Sequence, residues 1–255
     1  MKTTLLSITL SCLYAFSCFG QSSESSKAMK DANNPLASIK SISVHNIYSP
    51  SLCGIDGTAN TAWIRYAQPI SRILLRASMP INTVNIGPEN HSGLGDMNIF
   101  GTYILTDLTS PNQLGVGPLL SVPTATQKFL GSGKWNIGFA FVGYFAKSSI
   151  FQFGFLATWQ HSFAGNDNRR RVHAASVQPF LMWQLDKGLY LRSTAISILD
   201  FEKGDYLVPV GLGMGKVLKI GKVLCNFFAE PQFAVWNKAY GLPKTQLFVG
   251  VNTQF

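Results

Sequence analysis

The chain has 255 residues and a formal net charge of +9, although only 13% of its residues are charged and 46% are hydrophobic. Beyond the N-terminal leader, no apolar run reaches the roughly 18 residues that a membrane-spanning helix needs. Apart from Arg169–Arg171 the basic residues are scattered singly, so the charge points to anionic solutes or lipopolysaccharide and not to nucleic acid.

Residues 1–20 have the order of a cleaved secretory signal peptide. Met1 and Lys2 form a basic start, an apolar stretch follows, and small residues lie next to Gly20. A membrane helix fits less well because the stretch is short and interrupted by polar residues. A lipoprotein interpretation through Cys18 lacks the leucine expected before it. We therefore predict export, a periplasmic segment over 21–37 and a barrel domain over 38–255.

Two consecutive segments carry the clearest strand pattern. Over 136–147, and again over 150–160, aromatic or aliphatic residues alternate with small or polar ones, as in Phe139 and Phe141 or Phe153 and Phe155. Side chains of a strand point alternately to opposite faces, so each segment has one aromatic face. About eleven residues also suffice for a tilted strand to cross a bilayer. The pattern predicts a transmembrane hairpin.

The same analysis predicts an all-β, up-and-down antiparallel barrel of about twelve strands. Alternation is weak in several segments, and Pro179, Pro209 and Pro231 inside predicted strands indicate bulges or strand ends, because proline donates no ladder hydrogen bond. The predicted strands are 38–47, 60–68, 71–79, 96–106, 113–120, 136–147, 150–160, 172–185, 189–197, 207–219, 222–235 and 245–255.

The connections between these strands alternate in length. The short ones lie near 69–70, 107–112, 148–149, 186–188 and 220–221, and the long ones at 48–59, 80–95, 121–135, 161–171, 198–206 and 236–244. Outer-membrane barrels have tight turns on the periplasmic side and longer loops outside. A soluble β-sandwich, which the composition alone leaves open, has no reason to sort its loops in this way.

The last predicted strand adds a second signal. Leu247, Val249, Val251 and the terminal Phe255 share one face of the strand. A terminal phenylalanine on an apolar strand face resembles the signal that the barrel-assembly machinery recognises. We therefore expect this machinery, outer-membrane lipids and lipopolysaccharide as partners of the chain, together with a small-molecule solute.

Motifs along nearly the whole of the exported part resemble the outer-membrane transporter family of the MetA pathway of phenol degradation, whose members are often mislabelled neuromedin U. They are Asn34-Pro35-Leu36-Ala37-Ser38, Gln68-Pro69-Ile70, Gly93-Leu94-Gly95-Asp96, Gly115-Val116-Gly117-Pro118, Pro123-Thr124-Ala125-Thr126, Leu130-Gly131-Ser132-Gly133-Lys134-Trp135, residues 162–167, Gln178-Pro179, Val208-Pro209-Val210-Gly211-Leu212-Gly213 and Gly221-Lys222. The resemblance implies an outer-membrane barrel of Gram-negative bacteria with a presumed transport role. It implies no catalytic residue.

Charged residues on the predicted strands fall on the inner face by parity. Because Ile73 and Leu75 are expected to face lipid, Arg76 should face the lumen, and an arginine or lysine facing lipid would cost about 2–4 kcal/mol. The lumen candidates are Arg65, Arg76, Asp96, Arg192 and Glu230. They form either a network that plugs a narrow barrel or a selectivity constriction. Both remain open, because twelve strands lie between filled barrels of about eight strands and open porins of 16–18.

Other candidate sites are fewer. Arg169, Arg170 and Arg171, in a predicted long loop, are candidates for contact with lipopolysaccharide phosphates, because guanidinium groups match phosphate oxygens. A solvated loop is the alternative. His161 and Ser162 are adjacent on one strand and therefore point to opposite faces, although His173 could approach Ser162 across the loop. No metal-ligand spacing is present, and we expect no cofactor.

Together these features predict a passive outer-membrane channel or transporter for small molecules, hydrophobic or aromatic ones included, that is not an enzyme. Two alternatives remain: a surface enzyme that acts on lipids, and a non-conducting barrel that presents its loops.

Overall fold

A computed structural model of the chain describes residues 32–255. The predicted signal peptide over 1–20 and the segment 21–31 lie outside the described residues. Within 32–255, no helix is long and apolar enough to span a membrane. Cys53 and Cys225 are both free thiols.

The described part of the chain folds into one antiparallel sheet of fifteen strand segments. They are β1 (Ser41–Leu52), β2 (Gly57–Ile70), β3 (Ile73–Ile86), β4 (Glu89–Leu94), β5 (Met97–Ile104), β6 (Asn112–Val122), β7 (Lys134–Phe145), β8 (Phe151–Gly165), β9 (His173–Gln184), β10 (Leu189–Ser193), β11 (Ser197–Asp200), β12 (Asp205–Gly211), β13 (Gly213–Ile220), β14 (Val223–Lys238) and β15 (Pro243–Gln254).

The sheet closes into a barrel because β15 pairs with both β14 and β1. Three strands are each made of two segments, namely β4 with β5, β10 with β11, and β12 with β13, so the fifteen segments form a closed barrel of 12 strands. Apart from β4, which pairs only with β3 at one end of the barrel, closure leaves no edge strand in the sheet, as a sheet in a membrane requires. The predicted fold class is confirmed.

The outer surface of the barrel is apolar, as the alternation predicts. On β7, Ile137 and Phe139 are more than half exposed, whereas Ala140 and Val142, further along the same strand, are buried. The Phe139 ring stacks on Trp159 of β8, with ring centroids 5.4 Å apart. β7 and β8 pair along their whole length, with one register shift next to Trp135. The predicted hairpin therefore has its aromatic face outside.

The connections differ from the prediction in length. At one end of the barrel the chain turns at 71–72, 105–111, 146–150, 185–188 and 221–222, close to the predicted short turns. At the other end four of the six predicted long loops are wrong, because the strands continue as hairpins and leave only 53–56, 87–88, 201–204 and 239–242. Asn82 and Thr83 show the reason. These successive residues of β3 point to opposite faces and both are polar, so the alternation of apolar and polar residues ends before the strand does.

The two ends of the barrel are referred to below as the turn end and the loop end. β1 begins and β15 finishes at the turn end, where Ser41 is paired with Gln254. The turn Ser71-Arg72 has a left-handed residue, Ser71, with φ 53°, which is the backbone conformation of tight hairpin turns. In the turn 105–111, hydrogen bonds from the backbone and the hydroxyl of Thr109 lower the pKa of Asp107.

Two of the prolines lie where a neighbouring strand is interrupted. β9 pairs with β10 over 181–184 and with β11 over 174–177, and Pro179 falls between these two stretches. Pro231 likewise falls between the stretches of β14 that pair with β13 and with β12. Pro209 has the predicted bulge, as a register shift beside Val208. A residue without an N–H group is tolerated at such positions because no ladder bond is lost.

Candidate functional site

Two arginines of neighbouring strands lie inside the barrel near mid-height. On β2 the exposed side chains of Ile64 and Tyr66 flank Arg65, and on β3 those of Ile73 and Leu75 precede Arg76. The Nε atoms of both arginines are buried and have no hydrogen-bond partner among the described residues. The Arg76 guanidinium lies 4.2 Å from the centre of the Phe100 ring.

His45 on β1 connects Arg65 to the barrel seam. Its Nδ1 accepts a hydrogen bond from Arg65 Nη1, and its Nε2 is 2.7 Å from Asn252 Oδ1 on β15. These two contacts require the tautomer with hydrogen on Nε2. The ring also makes edge contacts with Phe228 and Phe248, at centroid distances of 5.2 and 5.3 Å.

Arg192 is in a different electrostatic environment, because it forms a buried ion pair with Glu230. Arg192 Nε donates to Glu230 Oε2 at 2.8 Å, and the two side chains are 7% and 0% exposed. The Glu230 carboxylate also accepts hydrogen bonds from the backbone N–H and the hydroxyl of Thr194. Thr194 lies in the interruption between β10 and β11, so its backbone N–H donates to the Glu230 carboxylate instead of to a neighbouring strand. The charge of Arg192 is therefore compensated.

The segment 32–39 lies across the turn end of the lumen. Asn34 donates to Gln113 on β6 at 2.8 Å, and Asn33 accepts from Asn226 on β14 at 2.8 Å. These strands are on opposite walls of the barrel. Leu36 is buried among inward-facing apolar residues: Leu74, Phe100, Ile104, Leu119, Ala140, Val142 and Leu156. The last residues of the segment predicted as periplasmic, 32–37, thus lie inside the barrel.

Between this segment and the arginines is a cavity of about 180 Å³. Its lining includes Arg65, Arg76 and Arg192 together with Phe228 and Phe248. Glu230 is engaged by Arg192 and Thr194, so the charge that remains uncompensated around the cavity is that of Arg65 and Arg76. No salt bridge within residues 32–255 involves either of them.

Asp96 has a different place from the one we expected. Instead of opposing the arginines, its carboxylate accepts hydrogen bonds from the backbone N–H and hydroxyl of Ser132, at 2.6 and 2.7 Å. It also accepts one from the Ala125 N–H at 3.3 Å. Asp96 lies between β4 and β5, where the loop 123–133 folds back over the loop end and meets its side chain.

The three consecutive arginines of the loop 166–172 have three different roles. Arg169 donates to the backbone oxygens of Ser132, Lys128 and Gly131, and so fixes one loop to the other. Arg170 is 3.5 Å from Asp200, and Arg171 is exposed. A basin of about 430 Å³ opens here; its charged lining residues are Lys128, Arg169, Arg170, Arg171, Asp200 and Lys203.

Ser162 does not form a nucleophile–base pair with either nearby histidine. His161 and His173 are paired across β8 and β9, and their rings meet at 5.3 Å among outward-facing aromatic residues such as Trp159. Ser162 is buried on the opposite face, and its hydroxyl accepts a hydrogen bond from the Val172 N–H at 3.0 Å. Among the described residues, no group of three or more His, Cys, Asp or Glu side chains could hold a metal ion.

The sequence analysis missed several parts of the cavity. His45, Phe228 and Phe248 lie on inward positions, and the parity that selected Arg65 and Glu230 selects them too, but only charged side chains were considered as lumen candidates. For residues 32–37 no periodic signal exists, because the segment is not a strand.

Comparisons with known proteins identify the class of fold. No family model matches the sequence, and neither does any curated protein, so the family resemblance of the motifs stays a prediction. Among solved structures, the COG4313 outer membrane channel from Pseudomonas putida F1 is similar at a TM-score of 0.64 and 13% identity, with 85% of this chain and 94% of that chain covered.

Two porins are also similar in structure. The NanC porin matches at a TM-score of 0.54 and 11% identity, covering 84% of this chain and 98% of that one. The KdgM porin matches at 0.52 and 10% identity, covering 84% and 99%. At these identities the likeness concerns the fold: a closed antiparallel barrel like those of outer-membrane channels and porins.

Proposed function

We propose that this protein is a passive outer-membrane channel whose lumen favours small anions. The observation that carries the proposal is the pair Arg65 and Arg76, two arginines inside a closed barrel without an acidic partner. A positively charged wall in a narrow passage raises the local concentration of anions and repels cations. The apolar outer surface and the fold shared with outer-membrane channels support the location.

Ion selectivity tests this function. With the purified barrel in a planar bilayer and a KCl gradient across it, the sign of the reversal potential should show that chloride is more permeant than potassium. The double variant Arg65→Gln, Arg76→Gln should shift it towards cations, because both uncompensated charges are removed. Arg72→Gln is the matched control: this arginine is exposed in the turn 71–72 and donates to the backbone oxygens of Ile104 and Thr106.

Arg192 is unsuitable for a selectivity variant, because its removal leaves Glu230 buried and unpaired, which destabilises a fold strongly. If the wild type conducts nothing, or the double variant keeps its ion preference, the arginines are packing partners in a barrel that the segment 32–39 plugs.

Orientation is tested by labelling intact cells with an impermeant thiol reagent. In a background with Cys53→Ser and Cys225→Ser, Asn168→Cys at the loop end should react and Ser148→Cys at the turn end should not. Both residues are exposed in connections, so they differ chiefly in the side of the membrane. Labelling of Ser148→Cys alone would invert the proposed orientation.

We expect insertion through the barrel-assembly machinery, since the last strand β15 closes the barrel and Phe255 is half exposed after it. A lipid-acting enzyme has no support from the arrangement of Ser162, His161 and His173. Alanine at Ser162 should accordingly leave membrane lipid composition unchanged.

A further inference from the structure

The cavity in the lumen is small and has two chemically different walls. Its volume of about 180 Å³ is below the roughly 300–1,000 Å³ of pockets for drug-sized ligands, so an occupant must be small. One wall is formed by β2 and β3, which carry Arg65 and Arg76. The other includes Phe180 and Met182 of β9.

These two walls face each other across the barrel. In the closed strand order, β2 and β9 are separated by five strands in either direction. Phe228 and Phe248, from β14 and β15, extend the apolar lining. The cavity therefore has the two uncompensated guanidinium groups on one side, and three phenyl rings and a thioether on the rest of its lining, beside Gln178, Thr194 and the paired Arg192.

Arg65 and Arg76 have unused hydrogen-bonding capacity. Both Nε atoms are buried without a partner among the described residues, while each arginine as a whole is partly buried. A guanidinium N–H that is buried without an acceptor is costly, because it has lost its hydrogen bond to water and gained none in return. Arg192, which lines the same cavity, shows how this fold satisfies a buried guanidinium group: its partner is the Glu230 carboxylate.

We propose that this cavity binds a small organic monocarboxylate with an apolar body. The carboxylate accepts hydrogen bonds from Arg65 and Arg76, and the apolar body packs against Phe180, Met182, Phe228 and Phe248. The proposal rests on the anion channel proposed above and names the class of solute that its lumen recognises. Paired donors from arginine match the two oxygens of a carboxylate, and charge-assisted hydrogen bonds of this kind are the strong ones.

The lining distinguishes this solute from other anions. Chloride would satisfy the charge but would leave the apolar wall in contact with water or empty. A sugar acid has the carboxylate but would place hydroxyl groups against phenyl rings, where they lose hydrogen bonds to water. A monocarboxylate with a ring or a short aliphatic chain satisfies both walls.

Calorimetric titration of the detergent-purified, folded barrel tests the proposal with three probes. Benzoate has the carboxylate and the apolar body, glucuronate has the same charge with a polar body, and benzyl alcohol has the ring without the charge. Benzoate should bind at least about tenfold more tightly than either of the others, because each of them lacks one of the two matching features.

Variants separate the two walls. Arg76→Gln should weaken benzoate binding at least about tenfold, since a hydrogen bond to a charged group is lost, and Arg76→Lys should restore part of it. Arg72→Gln should bind as the wild type does. Met182→Gln should weaken benzoate binding and leave glucuronate binding unchanged. Heat-modifiable mobility on gels confirms that each variant is folded, so that a loss of binding reports on the site.

The result that overturns the proposal is equal affinity for benzoate and glucuronate, or unchanged benzoate affinity in folded Arg76→Gln. The binding measurement does not depend on conduction. A barrel that binds benzoate but passes no current would refute the channel and keep the site, and a barrel that conducts anions without binding benzoate would refute the site and keep the channel.

Discussion

The strands β7 and β8 run along the barrel wall without a break, whereas the strands made of β10–β11 and of β12–β13 are each interrupted. β7 and β8 are continuous strands whose aromatic side chains cover the outer surface. β10–β11 and β12–β13 are interrupted strands, and the side chains at the interruption bond to one another inside the lumen. Beyond their first residues, the ladder alone holds the backbone of β7 and β8, whereas at the interruption after β10 the Glu230 carboxylate supplies a contact that the ladder lacks.

The difference shows what each kind of pattern can reveal. A lipid-facing surface requires apolar residues at every second position, so the strand is readable from the sequence. An interrupted strand leaves backbone groups without ladder partners, and buried backbone groups need others. Here Glu230 supplies them, and the same carboxylate compensates Arg192. Four experiments test this comparison: the first concerns the interrupted strands, the second the hairpin β7–β8, and the last two lie outside both.

The largest effect is expected for Glu230→Ala. The substitution removes the acceptor for Thr194 and leaves Arg192 buried without a partner, so the free energy of unfolding should fall by about 3–5 kcal/mol. Urea unfolding in detergent, followed by gel mobility, measures it. Glu202→Ala, in the exposed turn 201–204, is the control and should change little. An equal loss in both variants would show that the buried pair contributes no more than a surface charge.

The next effect concerns the outer surface of the hairpin. Phe139 is 51% exposed near the middle of β7, so Phe139→Arg places a charge in lipid and should cost about 2–4 kcal/mol of folding free energy in bilayers. Gln160→Lys, at an inward position of β8, is the control for an added charge. The comparison fails if the two variants are equally destabilised.

A smaller and more local effect is expected for Leu36→Ala. Leu36 is 1% exposed, in the apolar cluster that includes Leu74 and Phe100. Truncation of a buried leucine costs on the order of 2–3 kcal/mol. Because the segment 32–39 is not part of the sheet, that loss should free the segment and leave the barrel folded. Single-channel conductance should rise while urea stability changes little. Ala37→Ser is the control, and an unchanged conductance would mean that the segment does not limit the passage.

The smallest effect is expected at the loop end. Arg170→Gln with Arg171→Gln removes two charges from the basin at the loop end without touching the contacts of Arg169. Copurifying lipopolysaccharide should decrease severalfold, while stability changes by less than about 1 kcal/mol, since surface ion pairs contribute little. Lys219→Gln with Lys222→Gln, at the turn end, is the control for net charge. Equal lipopolysaccharide in both variants would contradict contact through these arginines.

The fold could be predicted from the sequence because it depends on local patterns. Aromatic alternation identified β7 and β8, and the tight turns at 186–188 and 220–221 lie within one residue of the observed ones. The lengths of the loop-end connections could not be predicted, since strands outside the membrane no longer need an apolar face. Parity also placed Arg65, Arg76 and Glu230 on inward positions.

The candidate site was less accessible to the same reasoning. Parity gives the face of a side chain but not its partner across the lumen. Nothing in the sequence distinguishes Arg192, which is paired, from Arg76, which is not. Asp96 lies at the end of a strand, where the loop 123–133 decides its partners. The segment 32–39 enters the lumen through contacts distant in sequence, such as Asn34 with Gln113.

Two of the three interruptions lie beside each other in the wall, at Thr194–Ile196 and at Leu212, and so make one line along which the ladder of hydrogen bonds is discontinuous. β11 has only four residues, and the open backbone beside it is held by side chains: Glu230 accepts from the Thr194 N–H, and Gln178 donates to the Thr194 carbonyl oxygen. Local opening follows the weakest backbone contacts. Amide protons of β11 and β12 should therefore exchange with solvent before those of β7 and β8, and the barrel should unfold from this line outwards, with Glu230 as the residue that delays the first step.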